Sequence, residues 1–369
     1  MKRQTFSTNQ DELTDNLRRL GWSERFDRLA ADENLDMSRM ARVLSAQRDR
    51  FPVSDGRAQW LCTPSGRMRR PLGQDYPVTG DWVLVDETVI QRVLPRRNTL
   101  CRGEAGSRGR QEGASRREQP LAANIDTVFI VCGLDRDYNL RRIERYLALV
   151  YNCAMAPVIV LTKADLHESP ATCRDEVENT ALGVPVILTS TQGGLGVEAL
   201  HAFLGAGQTV SMIGSSGAGK SSLANMLHGS DIQATAAVSQ SVGKGCHTTT
   251  SREFIAMPRG GLLLDNPGIR EIALSKDGDG LDATFADIRE LADHCRFADC
   301  SHRHEPGCAV ILAVDTGELS PARLENYRKM QREMSYVRAR TEKSADCVEK
   351  ERWKDVTMEI KRMNRRKQR

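Results

Sequence analysis

Three changes of texture along the chain predict a multidomain α/β protein. Between Met40 and about Leu100, short apolar runs alternate with turn signals. From Ile125 onward, strand-like runs alternate with helix-like segments, and between Cys295 and Cys308 three cysteines crowd around a histidine. The first texture predicts a small β-barrel, the second a mostly parallel sheet with helices, and the third a short segment held together by a metal. At 369 residues and 40% hydrophobic composition the chain has room for more than one core.

Residues 1–37 form a helical extension, because Leu13, Leu17, Leu20, Phe26 and Leu29 recur at helical spacing with an interruption at Gly21-Trp22. Residues 38–101 form the barrel. Its strand-like runs lie around Ala41–Leu44, Ala58–Leu61, Trp82–Val85 and Val89–Leu94, punctuated by Asp55-Gly56, Ser65-Gly66 and Thr79-Gly80-Asp81. Several short strands must hide their edges, and closure does this. An OB-fold is one such barrel and commonly binds RNA, while a barrel serving only protein contact is the alternative. Residues 102–120 read as a basic, Gly-rich linker.

Net charge is only +4, yet the positive residues cluster. Arg96-Arg97, Arg102, Arg108, Arg110 and Arg116-Arg117 flank the linker; Lys361-Arg362, Arg365-Arg366-Lys367 and Arg369 close the chain in a basic tail, 341–369. Such segments are either solvated charge or contacts for nucleic-acid phosphates. The tail beyond Thr341 is compatible with a helix and with a segment that orders only on RNA. The N-terminus lacks the apolar core of a signal peptide and no apolar run reaches membrane-spanning length, so a cytoplasmic protein that does not bind membranes is expected.

In the α/β region, 121–274, strands are expected near 125–131, 157–161, 184–188, 209–213 and 261–264, with an amphipathic helix from Leu140 to Tyr151. The loops after parallel strands share one edge, where ligands bind in such sheets. After the fourth strand comes Gly214-Ser215-Ser216-Gly217-Ala218-Gly219-Lys220-Ser221-Ser222, a phosphate loop with G-x-x-x-x-G-K-S spacing. Its glycines let backbone N–H groups close around phosphates, Lys220 reaches the β- and γ-phosphates, and the Ser221 hydroxyl binds Mg²⁺. The start of the following helix adds a favourable field.

The loop alone does not separate ATP from GTP. Thr162-Lys163-Ala164-Asp165, after the second strand, supplies that separation: a fixed Asp165 carboxylate accepts the ring N–H and the exocyclic amine of guanine, a donor pair that adenine lacks. Lys163 would lay its stem along the base, and Ser190 belongs to the loop closing over it. On its own this tetrapeptide also fits a capped strand-to-helix turn; the phosphate loop downstream favours the guanine reading. Ordinary GTPases carry the two motifs in the opposite order, so the domain reads as a circularly permuted P-loop GTPase.

Asp265-Asn266-Pro267-Gly268, directly after the last strand, fits a carboxylate acting on Mg²⁺ followed by a glycine N–H facing the γ-phosphate; a plain Asn-Pro-Gly turn is the alternative. Between the two lies a polar loop ending in Gly245-Cys246-His247-Thr248-Thr249-Thr250, in which Thr249 is the chosen Mg²⁺ ligand and Thr248 or Thr250 the alternative. Residue 269 is Ile, where Ras-type enzymes place a water-orienting glutamine, so slow intrinsic hydrolysis is expected. His247 is a candidate catalytic residue alongside Lys220 and Thr249; a group from a partner, or a histidine that merely packs, is the alternative.

Cys295, Cys300, His302 and Cys308 form a C-x4-C-x-H-x5-C pattern, whose three thiolates and one imidazole complete a structural zinc site with no open position. It anchors a helical domain, 281–340. Buried free thiols and iron–sulfur ligation are the alternatives.

Together these residues resemble the ribosome small-subunit-dependent GTPase A (RsgA/YjeQ) family. The likeness includes Gly80-Asp81-Trp82, Leu94-Pro95-Arg96-Arg97, residues 122–128 and 139–146, the motifs above and Arg323-Leu324-Glu325-Asn326-Tyr327. It implies an OB-fold, a permuted GTPase and a zinc-binding helical domain. It further implies a monomer that binds the 30S subunit and 16S rRNA, hydrolyses GTP to GDP in response, and couples this to release of assembly factors. Three residues depart from the family pattern: Thr162 for Asn, Asn266 for Thr, and Cys246 for the Arg beside the histidine, in the loop to which the ribosome response is attributed. A GTP-gated RNA- or ribosome-binding factor with incidental hydrolysis is the second reading; a P-loop ATPase or kinase is disfavoured by Asp165.

Overall fold

A computed structural model of the chain describes residues 10–47, 49–68, 76–103, 118–232, 253–265 and 279–342. Cα packing divides the chain into two units, Met1–Arg102 with Pro120–Ile272, and Gly103–Gln119 with Ala273–Arg369.

In the first unit the helical lead-in is two helices, α1 (Gln10–Arg19) and α2 (Glu24–Asp32). Leu17, Trp22 and Phe26 are buried against Met40, Trp82 and Leu94, and Trp22 meets Trp82 edge-on at 4.8 Å. The barrel follows: β1 (Met40–Val43), β2 (Phe51–Ser54), β3 (Gln59–Pro64), β4 (Trp82–Asp86) and β5 (Val89–Val93). It closes in the order β1-β2-β3-β5-β4, with β3 and β5 parallel. Alternate residues fill it: Ala41, Val43, Phe51, Val53, Cys62, Val83, Val85 and Ile90 form its interior. β2 was not among the expected strands, and Pro52 within it is a residue that argues against a strand. Its N lies in a ring that cannot donate, but its carbonyl still accepts from the Leu44 N–H at 2.8 Å.

Two turns of the barrel meet through a fork of hydrogen bonds: Arg96 places Nε and one terminal nitrogen each 2.8 Å from the two oxygens of the buried Asp81 carboxylate. Planar bidentate pairing of this kind fixes direction as well as distance. After β6 (Thr99–Gly103) comes β7 (Glu118–Ala123), and the two form their own two-stranded ribbon at the borders of the segment read as a linker.

The α/β sheet is built from β8 (Thr127–Gly133), α3 (Leu140–Asn152), β9 (Ala156–Thr162), α4 (Pro170–Thr180), β10 (Val186–Leu188), α5 (Val197–His201), β11 (Thr209–Ile213), α6 (Lys220–His228), β12 (Glu253–Ala256) and β13 (Leu262–Asp265). The strand order is β10-β9-β8-β11-β13-β12, and all neighbours are parallel except the edge strand β12. The strands β8 and β11 are buried at every residue, as a sheet covered on both faces requires, and are mostly apolar apart from Thr127, Thr209 and Ser211. From β8 the chain first steps outward to β9 and β10, then returns to β11 on the other side of β8. That reversal creates a crevice at the C-terminal ends of β8 and β11.

Barrel and sheet are joined by Arg42, which is 1% exposed. It donates to the carbonyls of Leu20, Gly80 and Asn124 and to the Thr209 hydroxyl, and its guanidinium lies 4.8 Å from the Phe254 ring centroid. Burial pulls its pKa down to about 10. The group therefore remains charged at neutral pH, held by acceptors on every side.

In the second unit, α7 (Asp279–Thr284), α8 (Ala286–Ala292), α9 (Ala309–Asp315) and α10 (Pro321–Glu342) bury Leu281, Phe285, Ile288, Val310 and Leu324. The Arg323–Tyr327 stretch has clear tasks here. Arg323 grips both Asp287 oxygens at 2.7 and 2.8 Å and lies over Phe285, while Tyr327 packs edge-on against the same ring.

Candidate nucleotide site and metal centre

The C-terminal ends of β9, β8, β11 and β13 lie side by side, and each carries a predicted motif or a loop next to one. Register places Gly133 opposite Thr162 and Ser211 opposite Leu264. The phosphate loop leaves β11 through Gly214, with φ +155°, where a Cβ would stand 2.3 Å from the Val131 carbonyl oxygen. Only glycine fits that approach to β8. The loop then turns through Gly217 and Gly219 into α6, which begins at Lys220, so the N–H groups of its first turn open toward the loop. Lys220 Nζ donates to the Gly214 and Ser215 carbonyls at 2.8 and 2.6 Å. Ser216 and Gly217 are exposed at the tip and Ala218 is buried, with Ser221 and Ser222 in the first helical turn.

The Thr162–Asp165 turn meets this loop directly. Thr162 Oγ1 donates to the Ala218 carbonyl at 2.6 Å, and Lys163 Nζ donates to the Gly217 carbonyl at 2.7 Å. Lys163 sits in the left-handed region at φ +60°, which aims its side chain across the crevice. Asp165 is exposed and accepts the Ser190 hydroxyl at 2.5 Å, while the Gln192 N–H donates back to Ser190 Oγ at 3.0 Å. Motifs more than fifty residues apart in the chain are thus in hydrogen-bond contact.

Two residues with no motif signature join them. Asp135 Oδ2 lies 2.6 Å from Lys163 Nζ, and Asp137 accepts the Ser215 hydroxyl at 2.5 Å while pairing with Arg142. Burial pushes the Asp135 carboxyl up, but the Lys163 hydrogen bond and charge outweigh it and hold the group below its usual range. Sequence reading had no signal for either carboxylate beyond their place directly after a buried strand.

The backbone of β13 ends at Asp265, whose side chain lies outside the described residues, as do Cys246, His247, Thr249, Asn266 and Gly268.

In the second unit the ligand atoms of Cys295, Cys300, His302 and Cys308 all lie within 4.8 Å of one another. Cys295 Sγ is 3.8 Å from Cys308 Sγ, and His302 Nδ1 is 3.6 and 3.5 Å from the same two sulfurs. A tetrahedron with bonds of about 2.3 Å to sulfur has edges of about 3.8 Å, so the donor set fits a tetrahedral ion. The loop is braced from outside: Glu305 accepts the Ser301 hydroxyl and the Arg303 and His304 N–H groups, which drives its pKa far down. Cys308 also caps α9, its sulfur accepting from the Ile311 N–H at 3.5 Å.

A family model described as RsgA GTPase matches residues 93–275. A protein of Syntrophotalea carbinolica, "Small ribosomal subunit biogenesis GTPase RsgA", is 39% identical over 357 residues, covering 95% of this chain and 98% of its own. The chain belongs to the RsgA GTPase family. A family member of the same name from Methanosarcina acetivorans is 42% identical over 304 residues, 81% of this chain and 80% of its own. Among solved structures, YjeQ from Thermotoga maritima matches with a TM-score of 0.58 at 29% identity, covering 80% of this chain and 98% of that one. YloQ, described as a circularly permuted GTPase, matches with a TM-score of 0.55 at 24% identity and supports the fold. The permuted order read from the motifs is therefore the RsgA order, with the barrel before it and the cysteine–histidine cluster after it. No helix among the described residues is long and apolar enough to cross a membrane.

Proposed function

We propose that this chain is a GTPase of small ribosomal subunit maturation, which binds the 30S subunit and 16S rRNA, hydrolyses GTP to GDP in response, and couples that step to release of assembly factors. One observation carries the reading. The turn with a guanine-reading carboxylate touches the phosphate loop through Thr162 and Lys163, in a chain aligned over nearly its whole length with a small ribosomal subunit biogenesis GTPase.

In this site Asp165 receives the guanine N–H donors and Lys163 lies along the base, with Ser190 holding Asp165 in place. Gly214, Ser215, Ser216, Gly217, Ala218, Gly219, Ser221 and Ser222 surround the phosphates, and Lys220 leaves its two loop carbonyls for phosphate oxygens. Mg²⁺, held by Ser221, Thr249 and Asp265, supplies charge neutralisation on the phosphates when bound. Gly268 faces the γ-phosphate, and His247 is the chain's own candidate for orienting water. Zn²⁺ is the ion proposed for Cys295, Cys300, His302 and Cys308, since three soft thiolates and one imidazole in tetrahedral spacing suit it. We further propose a cytoplasmic monomer.

The test is co-sedimentation of the zinc-loaded protein with purified ribosomal subunits. It is expected to pellet with 30S in the presence of a non-hydrolysable GTP analogue, weakly with GDP, and not with 50S. Equal recovery with both subunits, irrespective of nucleotide, would sink the proposal.

A further inference from the structure

We infer that Asp135, in the loop after β8, is a positioning residue for the nucleotide, acting through Lys163, and that Asp137 is its counterpart on the phosphate side. The inference rests on the guanine-nucleotide reading above.

The base-reading turn follows β9 and the phosphate loop follows β11, and β8 lies between those two strands. The loop that ends β8 therefore lies within reach of both sides of the crevice. One carboxylate goes each way. Asp135 Oδ2 holds Lys163 Nζ at 2.6 Å, and the same ammonium reaches the Gly217 carbonyl of the phosphate loop at 2.7 Å. Asp137 accepts the Ser215 hydroxyl at 2.5 Å, pairs with Arg142 of α3, and accepts the Gly133 N–H at 3.4 Å. The loop is itself braced, with the Asp137 N–H donating to Asp135 Oδ1 at 2.9 Å.

The local packing agrees with a fixed Lys163 path. A Cβ at Gly133 would lie 2.9 Å from Asp135 Oδ1 and 3.4 Å from both Cδ and Nζ of Lys163, so a side chain there would push against the pair. Lysine is a flexible stem ending in a point charge, and it loses much rotamer freedom when it is laid along a base. A carboxylate that fixes the ammonium beforehand removes part of that cost from binding. The effect acts equally on GTP and GDP, because the γ-phosphate is not involved. It acts equally on guanine and hypoxanthine, because the 2-amino group is read by Asp165.

The experiment measures equilibrium affinities for GTP, GDP, ITP and ATP by fluorescence, and steady-state GTP turnover, in the full zinc-loaded chain, in Asp135→Asn, Asp137→Asn and Lys163→Ala, and in each aspartate variant combined with Lys163→Ala. Asp135→Asn is expected to weaken GTP, GDP and ITP by the same factor, about tenfold, and the loss falls on KM rather than kcat. In the double variant of Asp135 and Lys163 the loss should equal that of Lys163→Ala alone, since Asp135 acts through the ammonium. Asp137→Asn should weaken the same nucleotides while adding its loss to that of Lys163→Ala. Additive losses for Asp135 and Lys163, or a fall in kcat at unchanged KM, would overturn the inference while leaving the guanine reading intact. A wild-type chain that does not prefer GTP over ATP would overturn both.

Discussion

Asp165→Asn is expected to exchange guanine for xanthine as the preferred base. Guanine offers the site two N–H donors, and the exposed Asp165 carboxylate, steadied by Ser190, accepts both in the proposed pose. Asparagine keeps one acceptor and turns a donor toward the 2-amino group, so a charge-assisted pair becomes one neutral bond and one donor–donor clash. Hydrogen bonds to charged groups contribute about 1.5–3 kcal/mol each, so GTP affinity should fall by about 10²- to 10⁴-fold. Xanthine carries a carbonyl where guanine carries the amine, and it accepts from the new amide. Competition by XTP and GTP against a labelled nucleotide reads the exchange. Unaltered GTP affinity in the variant would remove Asp165 from the site.

The second large effect belongs to the cysteine–histidine cluster. The segment from Cys295 to Cys308 has few buried side chains of its own apart from His302 and Cys308, so a bound ion would take the place of a core. Structural zinc in small modules binds with an apparent free energy of about 10–16 kcal/mol, nearly all of it linked to folding. The protein as purified should carry one equivalent of zinc by elemental analysis. Cys300→Ser should abolish that content and expose residues 295–308 to protease. Cys308→Ser should do the same and also loosen α9, whose first turn leans on that sulfur. Full zinc occupancy in both variants would contradict the ligand assignment.

Most of the α/β domain was legible because its determinants are local. Strands expected at 157–161 and 209–213 occur as Ala156–Thr162 and Thr209–Ile213, since buried parallel strands announce themselves as apolar runs. The glycines of the phosphate loop are dictated by backbone geometry that the residues themselves reveal, as at Gly214. What sequence did not reveal depends on partners distant in the chain. β2 is hidden by Pro52, and the edge strand β12 is only four residues long with a charged start. Arg42 carries no signal in the sequence, because its acceptors come from four separate segments. Asp135 and Asp137 look like a polar loop, and acquire meaning only because the strand before them lies between β9 and β11.

The central claim is that small-subunit binding drives GTP hydrolysis at this site. Steady-state turnover of GTP by the zinc-loaded protein, alone, with 30S and with 50S, tests it most directly. Slow turnover alone and with 50S, and strong stimulation by 30S, are expected. Turnover that 30S leaves unchanged, with tight GTP-dependent binding to 30S intact, would contradict it and leave a nucleotide-gated binding switch in its place.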